Sequence, residues 1–145
     1  MDCWDDSTAQ IPVVYHGYTL TSQIPFNDII LVVKCYVESN PSGLPIILSL
    51  ENHCSAIYQR QMAAILKSTL GKMLYIPDKK CDVLPSPNEL IGKVVLKGKR
   101  PPETEDIEEM KESSRALGAK EISNDATSAQ TVTTFVEDLG KLTLL

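Results

Sequence analysis

Five side chains carry the chemistry open to this sequence. His16 directly follows Pro12-Val13-Val14-Tyr15, Glu51 directly follows Pro45-Ile46-Ile47-Leu48-Ser49-Leu50, and Lys97 and Lys99 directly follow Lys93-Val94-Val95-Leu96. An imidazole can give or take a proton near neutral pH, a carboxylate can hold a cation, and ammonium groups are point charges suited to phosphate. Asp2, the fifth, stands with Asp5 and Asp6 at an acidic terminus that carries no weight by itself. Each type also has an ordinary role. A histidine after a strand can be a hydrogen-bonded structural residue, Glu51 can favour entry into the helix that follows it, and Lys97-Gly98-Lys99 can be a solvated turn. His53 is read as structural. Only the combination points to a metal-and-phosphate site.

The apolar runs before these residues are too short for helices and are bounded by turn formers, so they read as strands. Their continuous apolarity predicts burial on both faces, as in a parallel sheet covered by helices. A first helix places Phe26, Ile29, Ile30, Val33 and Val37 on one stripe and stops at Asn40-Pro41-Ser42-Gly43. A second, from about Ser55 to Leu70, carries Tyr58, Met62, Ile65, Leu66 and Leu70, with Gly71 where a left-handed cap would sit. Ser86-Pro87-Asn88-Glu89 predicts a third, very short helix with a capping box. Strand, helix, strand, helix, strand is an α/β rhythm. No G-x-G-x-x-G or G-x-x-x-x-G-K-[ST] loop is present, which favours a barrel over an open nucleotide-binding sheet. In a barrel the C-terminal strand ends build the active site.

At 145 residues the chain allows at most one modest domain, and 43% hydrophobic with 23% charged residues is ordinary globular usage. The net charge of −5 is uneven: residues 1–100 hold 10 basic and 9 acidic residues, and residues 101–145 hold 4 and 10. That asymmetry predicts a solvated acidic segment, disordered over 101–130, joined to a folded unit. Glu105 to Leu117 could form a transient acidic helix within it. Residues 131–145 turn apolar again. Cys3, Cys35, Cys54 and Cys81 form no C-x-x-C pair, which supports neither a zinc knuckle nor a dithiol redox motif and reads as four free thiols, with a secreted disulfide pair as the alternative. The start has neither the basic nor the apolar stretch of a signal peptide, and no apolar run approaches the ~18 residues that span a bilayer.

Five strings in order and spacing carry a resemblance: Asp2-Cys3-Trp4-Asp5, Val14-Tyr15-His16-Gly17-Tyr18-Thr19, Ile47-Leu48-Ser49-Leu50-Glu51-Asn52-His53-Cys54, Leu84-Pro85-Ser86-Pro87, and Lys93 to Lys99. Over about residues 1–100 the chain resembles the X region of eukaryotic phosphoinositide-specific phospholipases C. The fold this implies is part of a (β/α)8 TIM barrel, from about the end of strand 2 through strand 5, followed by the acidic linker. Residues 131–145 would then begin the Y half.

The resemblance implies calcium-dependent cleavage of phosphatidylinositol 4,5-bisphosphate into diacylglycerol and inositol trisphosphate. Asp2 and Glu51 match two calcium ligands, and a hard cation wanting six to eight oxygens suits carboxylates. His16 matches the acid that protonates the departing glycerol oxygen. Lys97 and Lys99 match residues that grip ring phosphates. The partner implied is a phosphoinositide lipid at a membrane surface rather than nucleic acid, and the implied location is cytoplasmic, peripheral at the inner face of membranes. The family's other histidine with its asparagine, and a further glutamate ligand, lie upstream of the position matched by Asp2. The chain is therefore expected to be a fragment, inactive and marginally stable alone. The acidic segment matches the X/Y linker, and a cover over the active-site mouth and a plain tether are equally open readings. The alternative function is a phospholipase-C-like protein that binds phosphoinositides or partners without turnover.

Overall fold

The computed structural model describes residues 1–77, 84–98 and 137–143, so the expectations for the acidic linker and for Lys99 and Cys81 lie outside the described residues. The chain opens with strand β1 (Asp2–Asp6) and returns as β2 (Ile11–Val14). Only Ser7 to Gln10 join them, whereas a parallel return needs a crossover of about a dozen residues or more. The pair is accordingly antiparallel, with Cys3 opposite Val14 and Asp6 opposite Ile11. Asp6 Oδ1 closes the turn by accepting from the Thr8 and Ala9 N–H groups at 2.8 and 3.1 Å, and Gln10 takes φ 56° to complete it. A short β3 (Ile24–Pro25) pairs antiparallel with the far side of β2. This corrects the expectation that the run before His16 is a parallel barrel strand: β2 is the middle of an antiparallel arm.

The parallel part is built around residues 46–53. Strand β4 (Ile46–Ser49) pairs in parallel with β6 (Val94–Lys97), and its continuation β5 (Glu51–Asn52) pairs in parallel with β1. The ladder is continuous across the junction: Leu50 N donates to Lys97 O at 2.8 Å, Glu51 N to Met1 O at 2.9 Å and His53 N to Cys3 O at 2.8 Å. One extended segment therefore joins β1 to β6 and makes an arc of parallel strands. On the far side of β6, Thr143 forms a parallel bridge with Leu96. It follows the single turn α3 (Glu137–Gly140), near which Leu139 and Leu142 are buried.

Helices α1 (Phe26–Ser39) and α2 (Ala56–Leu70) supply the apolar partners of one sheet face. Because successive strand residues point to opposite faces, Cys3, Leu48, Leu50, Cys54, Val94 and Leu96 share a face. All six are in the buried core with Phe26, Ile30 and Val37 of α1 and Met62, Leu66 and Leu70 of α2. Each such aliphatic or aromatic side chain contributes about 1.5–3 kcal/mol on burial. The expected stripes are found with small changes. Ile29, Val33, Tyr58 and Ile65 are only partly buried, while Gln59 is buried and its amide donates to the Cys54 carbonyl at 2.8 Å. The expectation of burial on both faces fails for β4, where Ile47 is 61% exposed.

The helix ends follow their sequence signals only in part. Asn40 caps α1 through its side-chain amide, which donates to Tyr36 O at 2.8 Å. At the start of α2, Ser55 makes no side-chain cap. Its backbone N–H instead donates to Asp5 Oδ1 at 3.0 Å, which fastens the helix to β1. Gly71 ends α2 with φ 49° and ψ −120°, a mirror-extended rather than left-handed helical conformation that still calls for glycine. The short helix expected at Ser86 is two successive turns instead, Glu89 N to Ser86 O and Leu90 N to Pro87 O. Half of its capping box survives, with Ser86 N donating to Glu89 Oε2 at 2.8 Å. Gly92, at φ 67°, brings the chain back out of these turns toward β6.

Candidate functional site

Register assembles the site. Asp2 lies beside Glu51 across the β1–β5 pair, and on its other side the Asp2 carbonyl accepts from Tyr15 N at 3.2 Å. Glu51, Asp2 and Tyr15 thus form one row across three strands, with His16 one residue beyond. The antiparallel run of β2 is what delivers His16 to the end of β1 where Asp2 begins. Lys97 lies opposite Ser49, two residues before Glu51 on the same face. It stands two strand spacings, roughly 10 Å, from the Asp2 strand. This face, carrying Asp2, Trp4, Tyr15, Glu51, His53 and Lys97, is the one turned away from α1 and α2.

His16 is exposed, its Nδ1 lying 3.2 Å from Gly17 O, and its carbonyl accepts the Thr19 hydroxyl. Asp2 Oδ1 is 4.0 Å from the Met1 ammonium, and Glu51 Oε1 is 3.3 Å from His53 Nε2. Trp4 occupies the middle of the face. Its ring stacks on His53 with centroids 4.1 Å apart at 13°, and Tyr15 and Tyr18 meet it at 5.5 and 5.8 Å. On the opposite face, burial pushes the Cys3 thiol up to about 12, against the pull of the Met1 ammonium. Burial, followed by the charges of Cys3 and Asp5, also pushes the Cys54 thiol up. Neither is a nucleophile at neutral pH.

Residues 1–100 match the family model for the phosphatidylinositol-specific phospholipase C X domain. The chain belongs to this family. It is 40% identical over 151 residues to 1-phosphatidylinositol 4,5-bisphosphate phosphodiesterase delta-1 of Rattus norvegicus, covering 98% of this chain and 19% of that protein. To the eta-2 phosphodiesterase of Homo sapiens it is 43% identical over 130 residues, covering 86% of this chain and 9% of that protein. Crystal structures of PLC21 from S. officinalis and L. pealei superpose with TM-scores of 0.65 and 0.66 at 27% identity, over 99% and 98% of this chain and 18% of each of theirs. The parallel arc of β1, β4–β5 and β6 is accordingly part of the α/β barrel of phospholipases C. The chain spans less than a fifth of the length of these relatives.

Within this phospholipase C X domain the structure brings Asp2, Glu51 and His16 to one end of adjacent strands and sets Lys97 on the same face. Among the described residues, no group of three or more His, Cys, Asp and Glu side chains could hold a metal ion. Asp2 and Glu51 nonetheless fit a hard cation in kind, being two carboxylates on neighbouring strands that would offer it oxygen donors. No described helix is long and apolar enough to cross a membrane. Trp4 and His53 also lie on this face, though the sequence marks neither as a site residue. The signal that could have found them is period two: Trp4 is two residues from Asp2 and His53 two from Glu51, so each shares its neighbour's face once β1 is recognised as a strand.

Proposed function

We propose that this chain is catalytic-domain sequence of a calcium-dependent phosphoinositide phospholipase C, which hydrolyses phosphatidylinositol 4,5-bisphosphate to diacylglycerol and inositol trisphosphate at the cytoplasmic membrane surface. The observation that carries the reading is the parallel pairing of Asp2 with Glu51, with β2 delivering His16 one residue beyond that row. The relatives' names state the bisphosphate diester as their substrate. Asp2 and Glu51 would hold Ca²⁺, which when bound lowers the pKa of the attacking ring hydroxyl and neutralises charge on the phosphoryl group. His16, exposed at the strand end, gives its proton to the departing glycerol oxygen. Lys97 and Lys99 grip ring phosphates as point charges. Residues 131–145 read as the opening of the second half-barrel, a reading supported by the parallel bridge from Thr143 to Leu96.

The test exchanges residues 1–100 for the matching segment of the rat delta-1 relative. The hybrid is expected to release inositol trisphosphate from vesicles only with calcium present. His16→Ala should lower kcat by about 10²–10⁴-fold. Lys97→Ala should raise KM for the bisphosphate lipid more than for unphosphorylated phosphatidylinositol. A folded hybrid that binds the lipid without turnover would establish the non-catalytic alternative, and equal loss on both lipids would remove the phosphate-gripping role of Lys97.

A further inference from the structure

We propose that His53, seated on the Trp4 ring, is a positioning residue that orients the Glu51 carboxylate for the cation. The proposal rests on the reading of Glu51 as a calcium ligand and adds a residue that touches neither cation nor substrate. Glu51 needs such help, because the ladder fixes its backbone while its side chain is 70% exposed. An exposed glutamate spreads over many rotamers, and ordering one costs up to about 1.5–2 kcal/mol.

The contact that can order it is present. His53 Nε2 stands 3.3 Å from Glu51 Oε1, with the His53 side chain 33% exposed. Nε2 carries a hydrogen in the neutral Nε2–H tautomer as well as in the imidazolium, so a donor at this atom does not require a charged ring. The imidazole is itself fixed from two sides. Its backbone N–H donates to Cys3 O at 2.8 Å, and its ring lies on the Trp4 indole at 4.1 Å and 13°.

Trp4 is held as a platform rather than as a donor. Its Nε1 is buried and has no hydrogen-bond partner among the described residues, a loss of about 1–3 kcal/mol that the ring's packing must offset. Tyr15 and Tyr18 border the indole, and Gly17 approaches so closely that an added Cβ would lie 2.3 Å from Trp4 Cζ2. The indole therefore touches the residues flanking His16 through Gly17 and the Glu51 side through His53. Hydrogen-bonded partners of ligating carboxylates commonly matter about 10–100-fold in metal affinity.

The test uses the 145-residue chain and Tb³⁺ as the calcium probe, with emission sensitised by Trp4, the only tryptophan. His53→Phe keeps a ring on the indole and removes the N–H. It is expected to weaken Tb³⁺ binding about tenfold. His53→Gln restores an N–H and is expected to return affinity to within about threefold of the original chain. In a Glu51→Gln background the effect of His53→Phe should disappear, whereas a loss caused by general loosening of the fold would persist there.

A His53→Phe chain that binds Tb³⁺ as tightly as the original, or loses affinity equally in both backgrounds, would overturn the proposal and leave Glu51 a ligand. Failure of His53→Gln to restore binding would overturn it as well. If Glu51→Gln alone changes nothing, the calcium role of Glu51 falls and the positioning role with it.

Discussion

The two arms of the sheet deliver reactive residues by different means. In the parallel arm, Glu51 and Lys97 emerge from strands whose other face is sealed by helices, with Val94, Leu96 and Leu66 at 0% exposure. In the antiparallel arm, His16 emerges from a hairpin strand into a turn whose next residues are open, Tyr18 and Leu20 being fully exposed. Buried strands fix a side chain through the core beneath it. The turn after β2 is held instead by contacts with the Trp4 ring, from Gly17 and from the edge of Tyr18, and by the Thr19 hydroxyl on the His16 carbonyl. Glu51 and Lys97 therefore depend on a different kind of interaction from His16.

The largest effect should come from the parallel arm. Leu96→Ala removes a fully buried side chain between β4 and the Thr143 bridge and should cost about 2–5 kcal/mol. Tyr18→Ala, at 100% exposure with only an edge contact to Trp4, should change stability by no more than about 1.5 kcal/mol. Urea denaturation of the two variants decides this. Comparable losses would mean that the open turn is packed as firmly as the sealed strands.

Gly17→Ala probes the aromatic contact itself. The new methyl would overlap the rigid Trp4 ring at 2.3 Å, so either the turn or the indole must move. Such overpacking costs about 1–3 kcal/mol, and Trp4 fluorescence should change with it. The variant should leave Tb³⁺ affinity less affected than His53→Phe does, because Gly17 lies on the His16 side of the indole. An unchanged emission spectrum and melting point would show that the turn is not held by Trp4.

What could be read in the sequence follows the same division. Helices α1 and α2 were legible because Phe26, Ile30, Val37, Met62, Leu66 and Leu70 repeat at helical spacing and do face the core. The strands before Glu51 and Lys97 were legible as short apolar runs. β1 was not, since Asp2-Cys3-Trp4-Asp5-Asp6 carries charge on both faces, and only its partners reveal it as a strand. With β1 unseen, β2 had no neighbour four residues away to make it antiparallel. The pairing of Asp2 with Glu51 and the stack of His53 on Trp4 were hidden with it, because both are facts of register. The family's motif strings nevertheless marked Asp2, His16, Glu51 and Lys97, whose positions in the fold local pattern could not supply.

The smallest effect concerns the seam where the arms meet, β1 against β5. Cys3 and Cys54 lie beneath it and are fully buried, whereas Cys35 on α1 is exposed. The folded Cys3 thiol holds its proton up to about 12, against an ordinary value of 9.0, so the unfolded chain is the one that loses the proton first. Stability is then whole below pH 9 and falls as pH rises from there toward 12, because deprotonation favours the unfolded state. At pH 10 the loss from Cys3 is on the order of 1 kcal/mol, and Cys54, shifted in the same direction, adds to it. Cys3→Ala should flatten this alkaline slope while lowering stability at neutral pH through the space it leaves. Urea midpoints measured from pH 7 to 10 separate the two effects. An equally steep slope in the variant would mean that the seam admits water and that the hairpin arm is not closed against the parallel arm.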